Sequence, residues 1–214
     1  MDTLRLLDDR LLTDVNDLAR HTGWLRGALL GYATFGVVLV AALLLAGVLR
    51  NRAGTNRALA AAGWACLATL IAVGLNQPLV SAFSEPRPYT THRDLLVLAS
   101  RSSDFSFPSD HAVMAGAAAA GLWLASRTLG AIAGVAALLM GFARVYIAAH
   151  YPWDVLAGLL FGAFVALAGW ALLRTPLTVV TGWLRGQPGL RQAFPAPAPQ
   201  GEGPAAPTAS GVSA

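Results

Sequence analysis

Long apolar stretches alternate with short polar ones along this chain. Residues 27–49, 58–84 and 155–173 carry no charge, and each stretch is long enough to cross a bilayer as a helix. Residues 109–126 and 128–149 are apolar except close to one end, and the first of these two is short for a membrane span. The pattern predicts an all-α integral membrane protein, with a bundle of about five transmembrane helices in residues 27–174.

The two ends of the chain differ from this bundle. In residues 1–26, leucine and valine recur on one helical face and aspartates occupy the others, which is typical of an amphipathic helix on a membrane surface. Residues 175–214 begin with a short apolar segment, predicted to lie at the interface. They continue into a tail rich in proline, alanine and glycine, predicted to be disordered. The predicted domains are therefore 1–26, 27–174 and 175–214.

Composition supports a membrane protein and argues against other classes. Hydrophobic residues make up 56% of the chain and charged residues only 12%, which is too apolar for an ordinary soluble domain. The basic residues are all arginines scattered between apolar stretches, so the pI near 10.0 reflects membrane topology rather than nucleic-acid binding. A single cysteine, Cys66, excludes an internal disulfide.

Three polar motifs lie at the ends of the apolar stretches. They are EPRPY at 85–89, FPSDHA at 107–112 and GFARVYIAAHYPWD at 141–154. In a five-span protein, the second and fourth spans end on the face where the third and fifth begin, so all three motifs are predicted on one membrane face. Ionisable residues at such positions are costly and usually functional. The sequence therefore predicts one composite site.

The third motif joins a histidine to an aspartate across a proline. Pro152 suits the first turn of a helix, which places His150 just outside that helix and Asp154 within its first turn. A carboxylate there can hold one imidazole nitrogen and leave the other as a nucleophile or base. A helix-capping aspartate beside an incidental histidine explains this motif alone about equally well.

The other two motifs carry groups that suit phosphate. Ser109 is a good N-cap, the N–H groups of the helix start after it bind anions, and His111 is placed to protonate a leaving oxygen. Arg87, between two prolines, offers a guanidinium that matches phosphate bidentately. A plain capping sequence and a snorkelling arginine are the simpler explanations. The whole set on one face of a 12%-charged chain favours a phosphate-ester hydrolase.

The three motifs together resemble the signature of the type-2 phosphatidic acid phosphatase superfamily, over roughly residues 60–165. The residues that carry the resemblance are Arg87-Pro88, Pro108-Ser109-Asp110-His111, Arg144, His150 and Asp154. Within that superfamily, the Asn76-Gln77 pair and the FPSDHA and HYP-D stretches resemble the bacitracin-resistance type undecaprenyl-diphosphatases. The resemblance implies that His150 is a nucleophile that forms a phosphohistidine, that Asp154 orients it, and that His111 is the general acid. The residues assigned to substrate binding are Arg87, Ser109, Asp110 and Arg144.

Three positions depart from the family pattern. Val80 replaces a lysine, Asp110 replaces a glycine, and Ala143 replaces a serine. The first change removes one phosphate-binding charge. Such changes are not unusual in the bacitracin-resistance branch, so they narrow the assignment to that branch.

The resemblance implies hydrolysis of undecaprenyl diphosphate to undecaprenyl phosphate and inorganic phosphate, without a metal or other cofactor. Phosphatidate, phosphatidylglycerol phosphate or another polyprenyl phosphate are alternative substrates, and an anion-binding transporter is the non-enzymatic alternative. A metal site formed by His111, His150 and Asp154 is disfavoured by the neighbouring arginines. The expected partners are the lipid substrate and the bilayer, and the sequence does not define an oligomeric state.

The two faces carry nearly equal numbers of arginines, so an acid-free arginine loop rather than the arginine count predicts which face carries the motifs. The loop with Arg50, Arg52 and Arg57 contains no acidic residue and lies on the opposite face, which favours a cytoplasmic location for that loop. The site is therefore expected on the extracytoplasmic face of the cell membrane.

Overall fold

The computed structural model of the chain describes residues 2–195, which form α-helices and connecting turns and contain no β-strand. The helices are, in order, α1 Asp2–His21, α2 Gly23–Asn51, α3 Asn56–Phe83, α4 Pro88–Thr91, α5 Asp110–Ala125, α6 Arg127–Tyr146 and α7 Pro152–Gly186. The predicted all-α fold is thereby confirmed. The prediction of a disordered tail falls largely on residues 196–214, which lie outside the described residues.

Four helical segments are long and apolar enough to cross a membrane: α2, Asn56–Thr91 (which contains α3), α6 and α7. The fifth predicted span is α5, which has 16 residues. It is therefore about 24 Å long, shorter than a hydrocarbon core of roughly 30 Å. α5 packs against α3, α6 and α7, so its neighbours shield it from lipid and it need not match the bilayer thickness.

The outer faces of the long helices are apolar. Large hydrophobic side chains are exposed there, among them Phe35 on α2, Leu70 on α3, Leu138 on α6 and Leu160 on α7. A surface of this kind is stable only when it is covered, and bilayer lipid covers it in a multi-pass protein. The helices therefore present their polar groups at their ends, where the three motifs lie.

Close packing of α5 against α7 sets the distance between the second and third motifs. Gly116 on α5 and Gly158 and Gly162 on α7 leave no room for a side chain at the contact. A Cβ atom at Gly158 would lie 2.8 Å from the carbonyl oxygen of Ser109, at the start of α5. Small residues allow membrane helices to approach closely. Here they bring the beginnings of α5 and α7 together.

We expect Gly162→Ala to destabilise the bundle by roughly 1–3 kcal/mol, because the added methyl group overpacks a rigid contact. The Cβ of an alanine at position 162 would collide with the carbonyl oxygen of Val113 and lie 2.8 Å from the amide nitrogen of Ala117. Gly74→Ala on α3 is the matched control, since a Cβ there meets no atom within 4 Å. Thermal unfolding in detergent measures both variants. Equal unfolding temperatures for the two variants would contradict the close contact.

The C-terminal part of the bundle differs from the prediction in one respect. Residues 175–184, predicted to form a separate short segment, continue α7 through Pro176 as far as Gly186. Arg185 anchors this helix end to the loop between α2 and α3: its guanidinium donates to the carbonyl oxygens of Gly54 at 2.7 Å and Arg52 at 2.7 Å.

α1 packs across the face of the bundle that carries the motifs. Leu12 and Ala19 are fully buried, and the side-chain amide of Asn16 bonds both the nitrogen and the oxygen of Leu96 at 2.9 Å. The carboxylate of Asp8 accepts a hydrogen bond from the backbone nitrogen of Trp153 at 2.9 Å, in the first turn of α7. α1 thus supports the start of α7 and the polar connection, which is the stretch of residues 85–109 between α3 and α5.

Candidate active site

A sharp reversal of the chain between α6 and α7 presents His150. α6 ends at Tyr146, and Ala148 then adopts a left-handed conformation with φ 58, which is uncommon for a residue other than glycine. The amide of Ala149 bonds back to the carbonyl oxygen of Arg144 at 3.1 Å. Pro152 begins α7 as the sequence predicts. His150 therefore lies between the two helices and is only 3% exposed.

The imidazole of His150 is held at both nitrogens. Nε2 lies 3.2 Å from Nη1 of Arg87 and 3.2 Å from Nη2 of Arg144, while Nδ1 lies 2.8 Å from the carbonyl oxygen of Ser106. A guanidinium only donates hydrogen bonds and a carbonyl oxygen only accepts them. These partners therefore fix the tautomer: Nδ1 carries the proton, and the lone pair of Nε2 points at the two arginines.

The pKa of His150 lies well below its usual value, mainly because the imidazole is buried. The positive charges of Arg144 and Arg87 lower it further. The lowered pKa favours the neutral form of the ring, which is also the form that the hydrogen-bond partners select. A neutral imidazole with a free Nε2 lone pair is the form that can attack phosphorus.

Asp154 lies beside His150, in the first turn of α7, and is 1% exposed. Its Oδ2 atom is 3.4 Å from Nδ1 of His150 and accepts hydrogen bonds from the backbone nitrogen of Tyr151 at 2.9 Å and from the hydroxyl of Ser106. The carboxylate thus caps α7 and also faces the imidazole. The two sequence interpretations of Asp154, helix cap and histidine partner, are both compatible with this geometry.

Arg87 and Arg144 approach His150 from different elements. Arg87 precedes α4 and donates to the carbonyl oxygen of Ala149 at 2.9 Å and to the carboxylate of Asp104 at 3.1 Å. Arg144 lies in the last turn of α6, and its buried Nε has no hydrogen-bond partner among residues 2–195. A buried donor without a partner is costly. An anion bound between the two guanidiniums would satisfy it.

The second motif forms another wall of the site. Ser109 is the N-cap residue of α5, yet its buried hydroxyl makes no capping bond and has no partner within residues 2–195. The carboxylate of Asp110 accepts hydrogen bonds from Asn76 at 2.7 Å and from Gln77 at 3.0 Å. The capping role predicted for the Ser109 side chain is therefore not seen, although Ser109 does occupy the N-cap position.

One cavity of about 350 Å³ connects these groups. Five of the seven predicted site residues line it, namely Arg87, Asp110, His111, Arg144 and His150, whereas Ser109 and Asp154 lie behind its surface. Val80, where the family lysine is missing, also lines the cavity. Leu30, Ala33 and Thr34 of α2 complete it on the side of the membrane-spanning helices.

Two residues of the polar connection belong to this site and were not predicted. Ser106 bonds both His150 and Asp154, and Asp104 pairs with Arg87. Nothing in the sequence distinguishes Ser106 from its neighbours, because its closest contact with His150 uses the backbone carbonyl. The proximity of Asp104 to Arg87 depends on how residues 92–105 fold back, which hydrophobic periodicity does not reveal.

A bundle of apolar helices with a buried histidine between two arginines at one end is an arrangement suited to a membrane phosphatase. The chain belongs to the PAP2 superfamily: the model of that family matches residues 61–176. This assignment confirms the resemblance read from the three motifs, and it makes the chain a membrane-embedded lipid phosphatase.

Individual relatives agree with the family assignment. The chain is 28% identical to undecaprenyl-diphosphatase BcrC of Bacillus subtilis (strain 168), over 71% of this chain and 76% of the relative. It is 32% identical to an undecaprenyl-diphosphatase of Sulfolobus acidocaldarius, over 45% of this chain and 48% of the relative. The crystal structure of a transmembrane PAP2-type phosphatidylglycerolphosphate phosphatase from Bacillus subtilis shares the fold, with a TM-score of 0.55 and 23% identity over 80% of this chain and 87% of the other.

Proposed function

We propose that the protein hydrolyses undecaprenyl diphosphate to undecaprenyl phosphate and inorganic phosphate through a phosphohistidine at His150. The observation that carries the proposal is the position of Nε2 of His150, 3.2 Å from both Arg87 and Arg144. A phosphoryl group that enters between the two guanidiniums meets the Nε2 lone pair directly. Fixed positive groups of this kind stabilise the negative charge of a phosphoryl transition state.

In the first step, Nε2 of His150 attacks the terminal phosphorus and the bond from phosphorus to the bridging oxygen breaks. His111 lines the same cavity and is protonated when the anionic diphosphate is bound beside it; it gives that proton to the leaving undecaprenyl phosphate and becomes neutral. The phosphorylated imidazole is then cationic, because Nδ1 keeps its proton. The carbonyl oxygen of Ser106 and the carboxylate of Asp154, near Nδ1, stabilise that charge.

In the second step, water attacks the phosphohistidine. His111, now without its proton, accepts one from this water, so the residue acts as acid and then as base. The bond between Nε2 and phosphorus breaks, inorganic phosphate leaves, and His150 returns to its neutral form. Arg87 and Arg144, which line the cavity, hold the phosphate oxygens in both steps, and Asp110 lines the same cavity.

Two features favour a polyprenyl diphosphate as the substrate. The cavity is closed on one side by apolar residues of α2, which suit a lipid chain. Curated relatives from two organisms are named undecaprenyl-diphosphatases. Asp110 also places a carboxylate in this cavity, and the side-chain amides of Asn76 and Gln77 hold that carboxylate in position by donating hydrogen bonds to it.

A substrate panel tests this proposal. Purified protein in detergent is given farnesyl or undecaprenyl diphosphate, phosphatidate and phosphatidylglycerol phosphate, and released phosphate is measured. We expect kcat/KM for the diphosphates to exceed that for either phospholipid by at least about tenfold, which corresponds to 1.4 kcal/mol of differential transition-state binding. A preference for either phospholipid would overturn the substrate assignment, and no release from any of them would favour a transporter.

We also propose that the site faces the outside of the cell membrane, since the acid-free arginine loop lies on the opposite face. Ser103→Cys and Ala53→Cys, both at exposed positions and each in a Cys66→Ala background, form a matched pair on opposite faces. In intact cells, an impermeant thiol reagent is expected to label only the Ser103→Cys variant. Labelling of only Ala53→Cys would reverse the orientation.

A further inference from the structure

We propose that Ser106 is a positioning residue for His150 and Asp154, which it holds through two different groups. Its backbone carbonyl fixes the protonated nitrogen of the imidazole, and its hydroxyl fixes the carboxylate. The proposal rests on the proposed function of His150. It makes Asp154 and Ser106 one unit rather than leaving Asp154 as the sole orienting group.

Distances support the role of the carbonyl group. The Ser106 oxygen is 2.8 Å from Nδ1 of His150, whereas the nearest carboxylate oxygen of Asp154 is 3.4 Å away. A hydrogen bond between nitrogen and oxygen is normally 2.7 to 3.2 Å long, so the carbonyl is the direct acceptor of the Nδ1 proton. Asp154 acts on the imidazole mainly through its charge and through the group next to it.

The hydroxyl of Ser106 is that neighbouring group. It donates to Oδ2 of Asp154, and it lies 3.4 Å from Nδ1 of His150. Ser106 is completely buried, and Oδ2 has only one other donor among residues 2–195, the amide of Tyr151. Loss of the hydroxyl would leave a buried carboxylate poorly satisfied, which costs free energy or moves the group. Either response displaces the charge that faces the imidazole.

The backbone around Ser106 is held in place on both sides. The amide of Ser106 donates to the carbonyl oxygen of Glu85 at 2.8 Å, and the carbonyl oxygen of Asp104 accepts from Nε of Arg87 at 3.2 Å. Glu85 and Arg87 belong to the first motif, while His150 and Asp154 belong to the third. Ser106 therefore connects the first motif to the third, in addition to orienting the imidazole.

Ser106→Ala removes the hydroxyl and keeps the backbone carbonyl, so it tests only the contact between the hydroxyl and Asp154. We expect kcat to fall by at least about tenfold with KM changed by less than about twofold, because the ground-state phosphate contacts remain. Ser106→Cys has a similar shape but is a weaker donor, so its kcat should lie between those of the wild type and Ser106→Ala. Ser126→Ala, which removes a serine cap from α6, is the control for a purely structural loss.

A double-mutant cycle with Asp154→Asn separates positioning from stability. If Ser106 acts through Asp154, adding Ser106→Ala to Asp154→Asn should lower kcat by less than about twofold further. If the double variant instead loses kcat by the product of the two single-variant losses, the proposal is overturned. Wild-type kcat in Ser106→Ala would overturn it as well. Thermal unfolding shows whether Ser106→Ala folds. If it does not fold, the same double-mutant cycle is measured with Ser106→Cys in its place. Wild-type kcat in Ser106→Cys would then overturn the proposal.

His150→Ala in the same assay keeps the two proposals apart. Turnover by a folded His150→Ala variant would reject the proposed mechanism itself. Loss of turnover in His150→Ala together with an unaffected Ser106→Ala would reject only the role of Ser106.

Discussion

Replacement of His150 by alanine is expected to abolish phosphate release, with kcat falling by at least about four orders of magnitude, as when a covalent nucleophile is removed. The residue is 3% exposed, and its Nε2 faces the space between two guanidiniums. An alanine leaves no atom within reach of phosphorus, and a water molecule in its place would lack the fixed geometry. Steady-state release of phosphate from a short-chain polyprenyl diphosphate measures the effect.

His21→Ala is the matched control for this variant. His21 is an exposed histidine of α1 whose ring bonds the carbonyl oxygen of Asp17, and it does not line the cavity. It should retain wild-type turnover. A folded His150→Ala protein with near wild-type kcat would mean that the histidine only supports the loop between α6 and α7.

Arg144→Lys is expected to cost about 2–4 kcal/mol in transition-state stabilisation, comparable to the loss of one oxyanion donor. Lysine keeps the charge but loses the planar fork that reaches the phosphate oxygens with two nitrogens. Arg144 is a cleaner test than Arg87, because its Nε is still without a partner among residues 2–195. Arg87 also bonds Ala149 and Asp104, so its replacement would disturb the fold as well.

The loss in Arg144→Lys should appear in kcat more than in KM, because the planar fork is expected to match the positions of the equatorial oxygens in the transition state better than in the ground state. Arg101→Lys serves as the control: Arg101 lies over the ring of Tyr89, at 5.6 Å, and does not line the cavity. Kinetic constants of both variants decide the matter. An Arg144→Lys loss of less than about tenfold, or an equal loss in Arg101→Lys, would show that Arg144 does not hold the phosphoryl group.

The spacing of apolar stretches was sufficient to predict that three distant motifs meet. Because helices that cross a membrane alternate in direction, the ends of α3 and α6 and the starts of α5 and α7 had to share a face. The structure places Arg87, His111 and His150 around one cavity there. Local signals were also adequate at Pro152, which begins α7 as predicted and leaves His150 outside the helix.

Contacts made by backbone atoms and by irregular loops could not be predicted in the same way. The Ser106 carbonyl is a chemical group that every residue carries, so its position depends on tertiary structure alone. Similarly, the sequence predicts a separate short segment at residues 175–184, yet α7 continues through Pro176 to Gly186, and Arg185 fastens the helix end to the α2–α3 loop. Such long-range anchoring is not visible in hydrophobic periodicity.

The departures from the family pattern have a partial structural explanation. Asp110 replaces a glycine, and the side-chain amides of Asn76 and Gln77 supply the hydrogen bonds that its carboxylate requires. Val80, by contrast, contributes an apolar side chain to the cavity where the family pattern has a lysine. The arginine side chains that line the cavity are those of Arg87 and Arg144, which is why a single change at Arg144 is expected to be severe.

Direct detection of the phosphoenzyme tests the central claim, that His150 is phosphorylated during turnover. The protein is mixed with a polyprenyl diphosphate labelled in its terminal phosphate, and the reaction is stopped within milliseconds at alkaline pH, where phosphohistidine survives. Wild-type protein is predicted to carry acid-labile label on the peptide that contains His150, and His150→Ala is predicted to carry none. Label on another residue, or a pre-steady-state burst of lipid monophosphate without any labelled protein, would contradict this account.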